Sequence, residues 1–289
     1  MRRFKDYAKL YLQTAPLAHS THGSYRAALT NYWLPVLGDA TVTEISYADL
    51  LAADHHITWP SPKTRKNAHA PLRGVFALAY LDHGLPEVNS PAHKMKLGRH
   101  QRHQPDPFTR DERDAIMAWM LGKPQGLYFR TAFATGMRSG ELIALEWSQY
   151  QGESLRVHQS RVRGRRKDTK THRERRVYLP TWLTTELDAH GTRPAQGAIF
   201  LNQYGRAYQK PDKLNRVFRR CLTELTIRPR RGPYPWRHTY ASIGISEGAE
   251  PAFLARQLGH ALETFYGTYA QWLSQDEDLA QREIIEGTW

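Results

Sequence analysis

The amino-acid sequence predicts a mainly α-helical protein of two parts, the second of which adds a small antiparallel β-sheet. Apolar residues recur at helical spacing through residues 1–88, a basic stretch with prolines covers 89–107, and two strand-like runs lie within 108–289. The length of 289 residues also suggests two domains, at roughly 150 residues each. We therefore expect a helical N-terminal domain, a linker and a mixed α+β C-terminal domain.

Two helices begin the first domain. One face of the first helix is apolar, and it carries Phe4, Tyr7, Leu10 and Tyr11. The second helix begins at Ser20 or Ser24. It is expected to stop before Pro35, because a proline pushes the residue before it out of the α conformation.

Two further helices complete the first domain. Ser46, with Asp49 three residues later, resembles a capping box, which marks a helix start. A longer helix spans about 62–83, with Pro62 in its first turn and Gly84 as its stop. Pro71 lies inside this helix and is expected to kink or divide it.

The composition changes after residue 88. Residues 89–107 mix Lys, Arg and His with prolines, which predicts a basic interdomain linker, although a solvated loop fits equally well. Beyond it, Thr109 and Glu112 indicate a capped helix. Residues 154–158 and 176–179 have the alternation of strands, and helical patterns return from about residue 211.

The formal net charge of +13 implies a polyanionic partner, either a nucleic acid or an anionic membrane surface. No apolar run approaches the ~20 residues that a bilayer-spanning helix needs. The N-terminus lacks the apolar stretch of a signal peptide. Cys221 is the single cysteine, so no intrachain disulfide can form. We expect a soluble protein of a reducing, intracellular compartment.

Much of the positive charge falls in one segment. Residues 156–176 hold ten Lys or Arg against Asp168 and Glu174, a net charge of +8. Because strand-like runs flank this segment, it is predicted to form a β-hairpin with a basic tip. Such a hairpin suits a nucleic-acid groove, where cations displace counterions from phosphates. The charge density favours this interpretation over a solvated loop without a partner.

Four short segments carry residues that could act on a phosphate. They are Thr135-Gly136-Met137-Arg138-Ser139-Gly140-Glu141-Leu142, Arg237-His238, Leu258-Gly259-His260, and the tyrosines Tyr266 and Tyr269. An arginine at a helix start favours an anion. Taken alone, however, Arg138 and Glu141 fit a surface ion pair at i,i+3 better. Each of the other segments, taken by itself, is also weak evidence for a catalytic site.

The order and spacing of these segments, with a lysine in the basic hairpin between them, resemble the tyrosine recombinases, also called phage integrases. The resemblance covers the whole second domain, and four of the five elements have the family's local sequence. Residues 63–67 and 71–76 are similar to a stretch common in integrase N-terminal domains. The resemblance implies a helical, SAM-like core-binding domain over 1–88 and a catalytic domain over 108–289, with a tail at 270–289.

The resemblance also implies a role for each matching residue. Tyr269, nine residues after His260, matches the nucleophile that forms a 3′-phosphotyrosyl link to DNA; this spacing favours it over Tyr266. The other matches are the phosphate-clamping Arg138 and Arg237, the lysine Lys170 that protonates the leaving 5′-oxygen, the proton acceptor His238, the hydrogen-bond donor His260 and the orienting Glu141. The expected DNA-binding residues are Lys63, Arg65, Lys66, Arg163, Arg165, Arg166 and Lys167.

Tyr234 departs from the family pattern, which often has a histidine three residues before the arginine of Arg237-His238. A tyrosine hydroxyl can still donate a hydrogen bond to phosphate, but it cannot carry the charge of an imidazolium. We expect a modest loss of activity from this difference rather than inactivity.

The resemblance implies neither metal nor ATP. The expected partner is double-stranded DNA, on which the chain forms a homo-tetramer that passes through a Holliday junction, with accessory DNA-bending proteins as further candidates. Without DNA we expect a monomer or a weakly associated form, in the cytoplasm with the nucleoid. The tail 270–289 carries a net charge of −4, which fits docking on a neighbouring protomer or a frayed, solvated end.

Two other functions share some of these features. A type IB topoisomerase uses the same side-chain chemistry to relax supercoils, and a catalytically silent DNA-binding factor would share the charge distribution. The integrase-like first domain and the spacing after Leu258-Gly259-His260 favour a recombinase of a phage or other mobile element. The chain begins at the core-binding domain, so it is either a two-domain recombinase or a shortened form that lacks an arm-binding domain. The DNA sequence that it recognises stays open.

Overall fold

A computed structural model of the chain describes residues 2–98, 104–162, 164–168, 174–190, 197–229, 234–273, 282, 285 and 286. For residues 162 and 165–168 it describes the backbone alone. The chain divides into two compact units, Met1–Arg102 (unit 1) and His103–Trp289 (unit 2). Among the described residues, no helix has both the length and the apolar character needed to cross a bilayer.

Unit 1 is helical throughout its regular structure. Its helices are α1 (Phe4–Thr14), α2 (His19–Ala28), α3 (Leu34–Leu37), α4 (Tyr47–His56), α5 (Pro62–Asp82) and α6 (Pro91–Lys94). The core contains the fully buried side chains of Phe4, Trp33, Leu72 and Phe76. Apolar residues at three- and four-residue spacing give α1 and α5 their buried faces, and the sequence predicts such a face for α1.

The prediction that the second helix stops before Pro35 is wrong. A π-helical turn, Leu29–Trp33, follows α2 directly and leads into α3. The Leu34 N–H donates to the Leu29 carbonyl, five residues back, and Pro35 then lies in the first turn of α3. The π-helical turn changes the hydrogen-bond pattern directly before Pro35, which has no N–H to donate, and the helix continues past the proline.

The other helix boundaries of unit 1 follow the sequence signals. The Asp49 N–H donates to Ser46 Oγ at 3.1 Å, which confirms the cap of α4. Helix α5 begins at Pro62 and ends at Asp82, close to the left-handed Gly84. It continues through Pro71, so the predicted division does not occur. Pro71 is buried, and its packing offsets the lost backbone hydrogen bond.

Unit 1 extends past the predicted boundary at residue 88. Ala92 and Met95 are buried in its core, and Arg73 on α5 donates to the carbonyls of both residues. This part of the predicted linker 89–107 is therefore folded, because two apolar side chains fill the core beside α5. Residues 99–103, near the middle of the predicted linker, lie outside the described residues.

Unit 2 combines eight described helices with four short strands. The helices are α7 (Arg110–Met120), α8 (Gly126–Thr135), α9 (Ser139–Leu142), α10 (Thr181–Asp188), α11 (Asp212–Glu224), α12 (Pro235–Ser246), α13 (Pro251–Leu258) and α14 (Leu262–Tyr269). The strands are β1 (Ser154–Val157), β2 (Gln159–Val162), β3 (Arg165–Asp168) and β4 (Arg175–Tyr178). Thr109 and Glu112 cap α7 reciprocally, as predicted.

The strands form two antiparallel pairs. Strand β1 pairs with β4, with Leu155 opposite Val177, and both side chains are buried. Strand β2 pairs with β3, with Gln159 opposite Asp168. The two predicted strands and the hairpin in the basic segment are thus confirmed, and the hairpin extends from the β1–β4 pair.

Two apolar clusters support unit 2. In the larger one, the rings of Phe129 and Phe218 stack with centroids 5.3 Å apart, and Trp236 packs edge-on against Phe218 at 5.9 Å. The smaller cluster buries Leu258 and Tyr269. These two clusters fix the start of α12, the end of α13 and the end of α14 in position.

Candidate active site

A left-handed turn at Gly136 forms the base of the site. Gly136 ends α8 with φ of +61°, a conformation that glycine adopts at low cost. A Cβ atom at this position would lie 2.6 Å from Leu258 Cδ2 and 2.9 Å from the Tyr240 ring. Only a residue without a side chain therefore allows α8, α12 and α13 to meet here.

Arg138 and Glu141 lie directly after this turn, at the two ends of the short helix α9. Arg138 Nη1 donates to Glu141 Oε1 at 2.9 Å, and the Arg138 backbone N–H donates to Oε2 at 2.9 Å. Glu141 is buried, whereas the Arg138 side chain is 34% exposed. Arg138 and Glu141 therefore do not form the surface ion pair that the two residues suggest when taken alone. The carboxylate is buried, and it holds an arginine that still reaches solvent.

Arg237 occupies the centre of the site in the first turn of α12. The Trp236 indole N–H donates to the Met137 carbonyl at 2.9 Å and fixes this turn against the Gly136 segment. The buried Arg237 guanidinium donates to the carbonyls of Gly136 at 2.9 Å and Leu258 at 2.6 Å. Burial and then the charge of Arg138 lower its pKa to about 9, so it is still cationic at neutral pH.

His260 follows the second left-handed glycine of the site, Gly259. Arg237 Nη2 lies 2.8 Å from His260 Nε2. Since an arginine can only donate, Nε2 accepts, and the ring proton lies on Nδ1. Burial, followed by the charges of Arg237 and Arg138, lowers the His260 pKa to about 3, so the imidazole is neutral. Nδ1 is buried and has no hydrogen-bond partner among the described residues.

Tyr269, the last residue of α14, is fully buried beside His238. Its hydroxyl lies 3.0 Å from His238 Nδ1, and its ring is nearly parallel to that of His260 at a centroid distance of 6.3 Å. Burial raises the Tyr269 pKa to about 12, although Arg237 and Arg138 act to lower it. Burial and Arg237 lower the pKa of His238, which is therefore neutral and able to accept a proton. The structure brings Tyr269 to His238, and it leaves Tyr266 41% exposed.

Arg175 is a member of the cluster that sequence reasoning missed. It begins β4, and its Nη1 and Nη2 donate to the two oxygens of Glu141 at 3.1 and 2.7 Å. Burial alone would raise the Glu141 pKa, but Arg175 and then Arg138 lower it to about 2. In the sequence, Arg175 is one of ten basic residues in the hairpin segment, and nothing local distinguishes it from the other nine.

The remaining predicted residues are distributed as follows. Tyr234 precedes α12, and its ring packs on Trp236 at 5.9 Å. Lys170 and Arg163 lie outside the described residues, and the structure gives only the backbone of 165–167. In unit 1, Lys63 and Lys66 are exposed on α5, whereas Arg65 forms an ion pair with the buried Asp54.

No group of three or more His, Cys, Asp and Glu with metal-binding placement occurs in the described parts of the chain. The site instead contains three guanidiniums around one carboxylate. Arg138 and Arg175 contact Glu141, and Arg237 contacts neutral acceptors. Guanidinium groups form strong, bidentate hydrogen bonds to phosphate oxygens. The arrangement can bind a phosphate next to a tyrosine hydroxyl and a neutral histidine.

The fold is shared with two DNA-bound integrases. The structure of the Tn1549 transposon integrase with a circular intermediate DNA superposes with a TM-score of 0.79, 16% identity, and coverage of 98% of this chain and 99% of that chain. A lambda integrase tetramer bound to a Holliday junction gives a TM-score of 0.73, 15% identity, and coverage of 90% of this chain and 78% of that chain.

Two curated relatives cover different shares of the chain. Prophage integrase IntR of Escherichia coli K12 is 29% identical over 229 residues, which span 66% of this chain and 54% of that relative, so the match extends over about half of its length. Tyrosine recombinase XerD of Oceanobacillus iheyensis is 24% identical over 262 residues, 85% of each chain.

A profile of the phage integrase family matches residues 108–275. This match covers more than half of the chain and includes Arg138, Glu141, Arg175, Arg237 and Tyr269. The chain therefore belongs to the phage integrase family, the tyrosine recombinases, whose members cleave and rejoin DNA.

Proposed function

We propose that the chain is a site-specific DNA recombinase of a prophage or transposon, which cleaves one strand with Tyr269 and rejoins it to another. The observation that carries the proposal is the 3.0 Å contact between the Tyr269 hydroxyl and His238 Nδ1, beside a cluster of three guanidiniums. Charge and geometry there fit a phosphodiester, and the fold is that of DNA-bound integrases.

In the cleavage step, the Tyr269 oxygen attacks the scissile phosphorus and the bond from phosphorus to the 5′-oxygen breaks. A phenol with a raised pKa is a weak nucleophile, so its proton must leave during the attack. His238 is neutral and 3.0 Å away, which suits it to accept that proton. The products are a 3′-phosphotyrosyl link and a free 5′-hydroxyl.

Arg138 and Arg237 stabilise the charge that develops on the nonbridging oxygens. Arg138 is partly exposed to solvent while its partner Glu141 is buried. Arg237 keeps its positive charge although it is buried. Electrostatic stabilisation is strong where water is excluded. His260 adds a neutral hydrogen-bond donor, its Nδ1–H group. The other ring nitrogen, Nε2, accepts a hydrogen bond from Arg237.

Lys170 protonates the leaving 5′-oxygen in this proposal. The assignment follows the family pattern, because the residue itself lies outside the described residues. In the sequence, Lys170 lies between β3, which ends at Asp168, and β4, which begins at Arg175. We propose no metal and no ATP: the guanidiniums supply the positive charge, and the phosphotyrosyl link conserves the energy of the broken bond.

The proposed partner is double-stranded DNA, on which four copies assemble, as in the lambda integrase tetramer on a Holliday junction. The basic hairpin and the exposed Lys63 and Lys66 are suited to phosphate contacts. Accessory DNA-bending proteins, docking of the acidic tail on a neighbouring copy and a cytoplasmic, nucleoid-associated location belong to the same proposal.

A suicide duplex tests the proposal. The duplex comes from the DNA that flanks the gene, and it carries a nick beside the scissile phosphate so that the 5′-hydroxyl diffuses away. We expect a covalent protein–DNA adduct with the wild-type chain and none with Tyr269→Phe, while Tyr266→Phe, the matched control, keeps it.

An adduct that survives in Tyr269→Phe would contradict the assignment. A plasmid that carries two copies of the site separates the alternatives. Recombination between the sites supports the proposal, whereas relaxation of a plasmid without sites indicates a topoisomerase.

A further inference from the structure

Arg175 connects the basic hairpin to the phosphate-binding cluster. It is the first residue of β4 and follows directly on the segment 169–174 that leads from the hairpin. Its side chain is only 11% exposed, and two of its nitrogens donate to the carboxylate of Glu141. A buried arginine so close to the site, with no counterpart in the predicted set of catalytic residues, requires a role.

The third nitrogen of Arg175 binds the opposite side of the site. Nε donates to the Gln257 carbonyl at 2.9 Å, in the last turn of α13. The stem of Arg175 rests on Gly259, where a Cβ atom would lie 3.2 Å from Arg175 Cδ. The Gln257 side chain in turn binds β4, because its Oε1 accepts from the Tyr178 N–H at 2.8 Å. Strand β4 and the end of α13 are therefore fixed to each other on both sides.

We propose that Arg175 is a positioning residue for strand cleavage, on the basis of the function proposed above. It acts through two partners. It holds both oxygens of Glu141, which in turn fixes Arg138, and it holds the end of α13, from which His260 follows. Each of its three nitrogens donates to a protein atom, and its side chain is only 11% exposed, so we assign it the role of orienting the groups that bind the phosphate.

The role requires an arginine. Three donors in one plane bind two carboxylate oxygens and a carbonyl at once, whereas a lysine has a single nitrogen at the end of a flexible stem. Without Arg175, Glu141 would keep Arg138 as its one cationic contact among the described residues. The carboxylate could then draw Arg138 inward, away from the phosphate.

The first test measures single-turnover cleavage of the suicide duplex at saturating protein, with Arg175→Met and Arg175→Lys. We expect each variant to cleave about 100-fold more slowly, since a misplacement of about 1 Å costs that much. The matched control is Arg130→Met, which removes a partly buried Arg–Glu pair in the same unit, 2.8 Å to Glu186. The control is expected to lower the melting temperature by a similar amount and to keep the wild-type cleavage rate.

A neutral substrate distinguishes positioning from folding. A methylphosphonate at the scissile position lacks the charged oxygen that Arg138 binds. The defect of Arg175→Lys should therefore shrink to less than about 10-fold on this substrate, because the lost interaction is charge-dependent. A purely structural defect would lower both rates by the same factor.

A double-mutant cycle tests the path through Glu141. If Arg175 acts through that carboxylate, Arg175→Met combined with Glu141→Gln cleaves much faster than the product of the two single effects predicts. Wild-type rates in both Arg175 variants, or equal factors on the two substrates, would overturn the inference. If Arg175→Met does not fold, Arg175→Lys carries the test. A wild-type chain that forms no adduct at all refutes the proposed function instead.

Discussion

Each unit buries a carboxylate with basic partners, and the two clusters differ in charge balance. In unit 1, Asp54 accepts from Arg65 and from His69, with 3.0 Å to His69 Nε2. Burial lowers the pKa of His69, although Asp54 acts to raise it, so the ring is neutral and one cation faces one anion. In unit 2, the guanidiniums of Arg138 and Arg175 contact the carboxylate of Glu141, and the nearby Arg237 adds a third positive charge.

The difference separates a structural cluster from a binding cluster. Balanced charges in unit 1 satisfy each other and hold α4 against α5. The positive excess in unit 2 is costly to bury without an anion, and the lowered pKa of Arg237 is a sign of that cost. Under the proposed function, the phosphate group of the DNA supplies a negative charge to this cluster.

The largest expected effect comes from the excess charge itself. Arg237→Gln removes the central cation, and we expect single-turnover cleavage to fall about 10²- to 10³-fold, as for loss of one transition-state donor. The measurement uses the suicide duplex at saturating protein, with Arg130→Met as the control. Cleavage within a few fold of wild type would contradict the view that the positive excess serves the reaction.

An intermediate effect is expected from the balanced cluster. Asp54→Asn weakens charge-assisted hydrogen bonds to Arg65 and His69, and should lower the free energy of unfolding of unit 1 by about 2 to 3 kcal/mol. Hydrogen exchange of peptides from α4 and α5 reports this loss unit by unit. The cleavage rate at saturating protein should stay at the wild-type value. If cleavage were lost while unit 1 stayed folded, Asp54 would contribute to the reaction. The distinction between a structural cluster in unit 1 and a binding cluster in unit 2 would then be wrong.

The smallest expected effect is a difference in pH dependence. The pKa of His260 is about 3 in the folded chain and near 6.5 when unfolded. Between these values the unfolded chain binds a proton that the folded chain does not. The free energy of unfolding therefore falls as the pH falls through this window, by up to about 1.4 kcal/mol per pH unit.

Urea unfolding at several pH values from 6.5 to 5 measures this slope. His260→Gln should flatten it for unit 2. The equivalent His69→Gln should change the slope of unit 1 less, because Asp54 favours the protonated form of His69. Equal slopes for wild type and His260→Gln would show that folding does not lower the pKa of this histidine.

The sequence predicts what depends on local signals. Caps such as Ser46 with Asp49, and the strand alternation on both sides of the hairpin, appear in the structure at the expected places. The sequence does not predict that the helix continues through Pro35, since the π-helical turn before the proline contains the buried Trp33 and we attribute it to tertiary packing. Local rules contain no information about that packing.

The same limit applies to the site. The family pattern selected Arg138, Arg237, His238, His260 and Tyr269, and the structure brings them together. Arg175 could not be selected, because its role comes from contacts with Glu141 and Gln257, 34 and 82 residues away in sequence. In a segment where ten of 21 residues are basic, composition does not distinguish a guanidinium that is folded inward.

The enclosure of Tyr269 has a consequence for how the chain behaves between reactions. Its hydroxyl is buried and has a pKa of about 12, whereas Tyr266, one helical turn earlier, is 41% exposed. We therefore expect a reagent that modifies tyrosines to label Tyr266 before Tyr269. Under the proposed function, this burial keeps the nucleophile protonated and away from solvent before a DNA strand is bound.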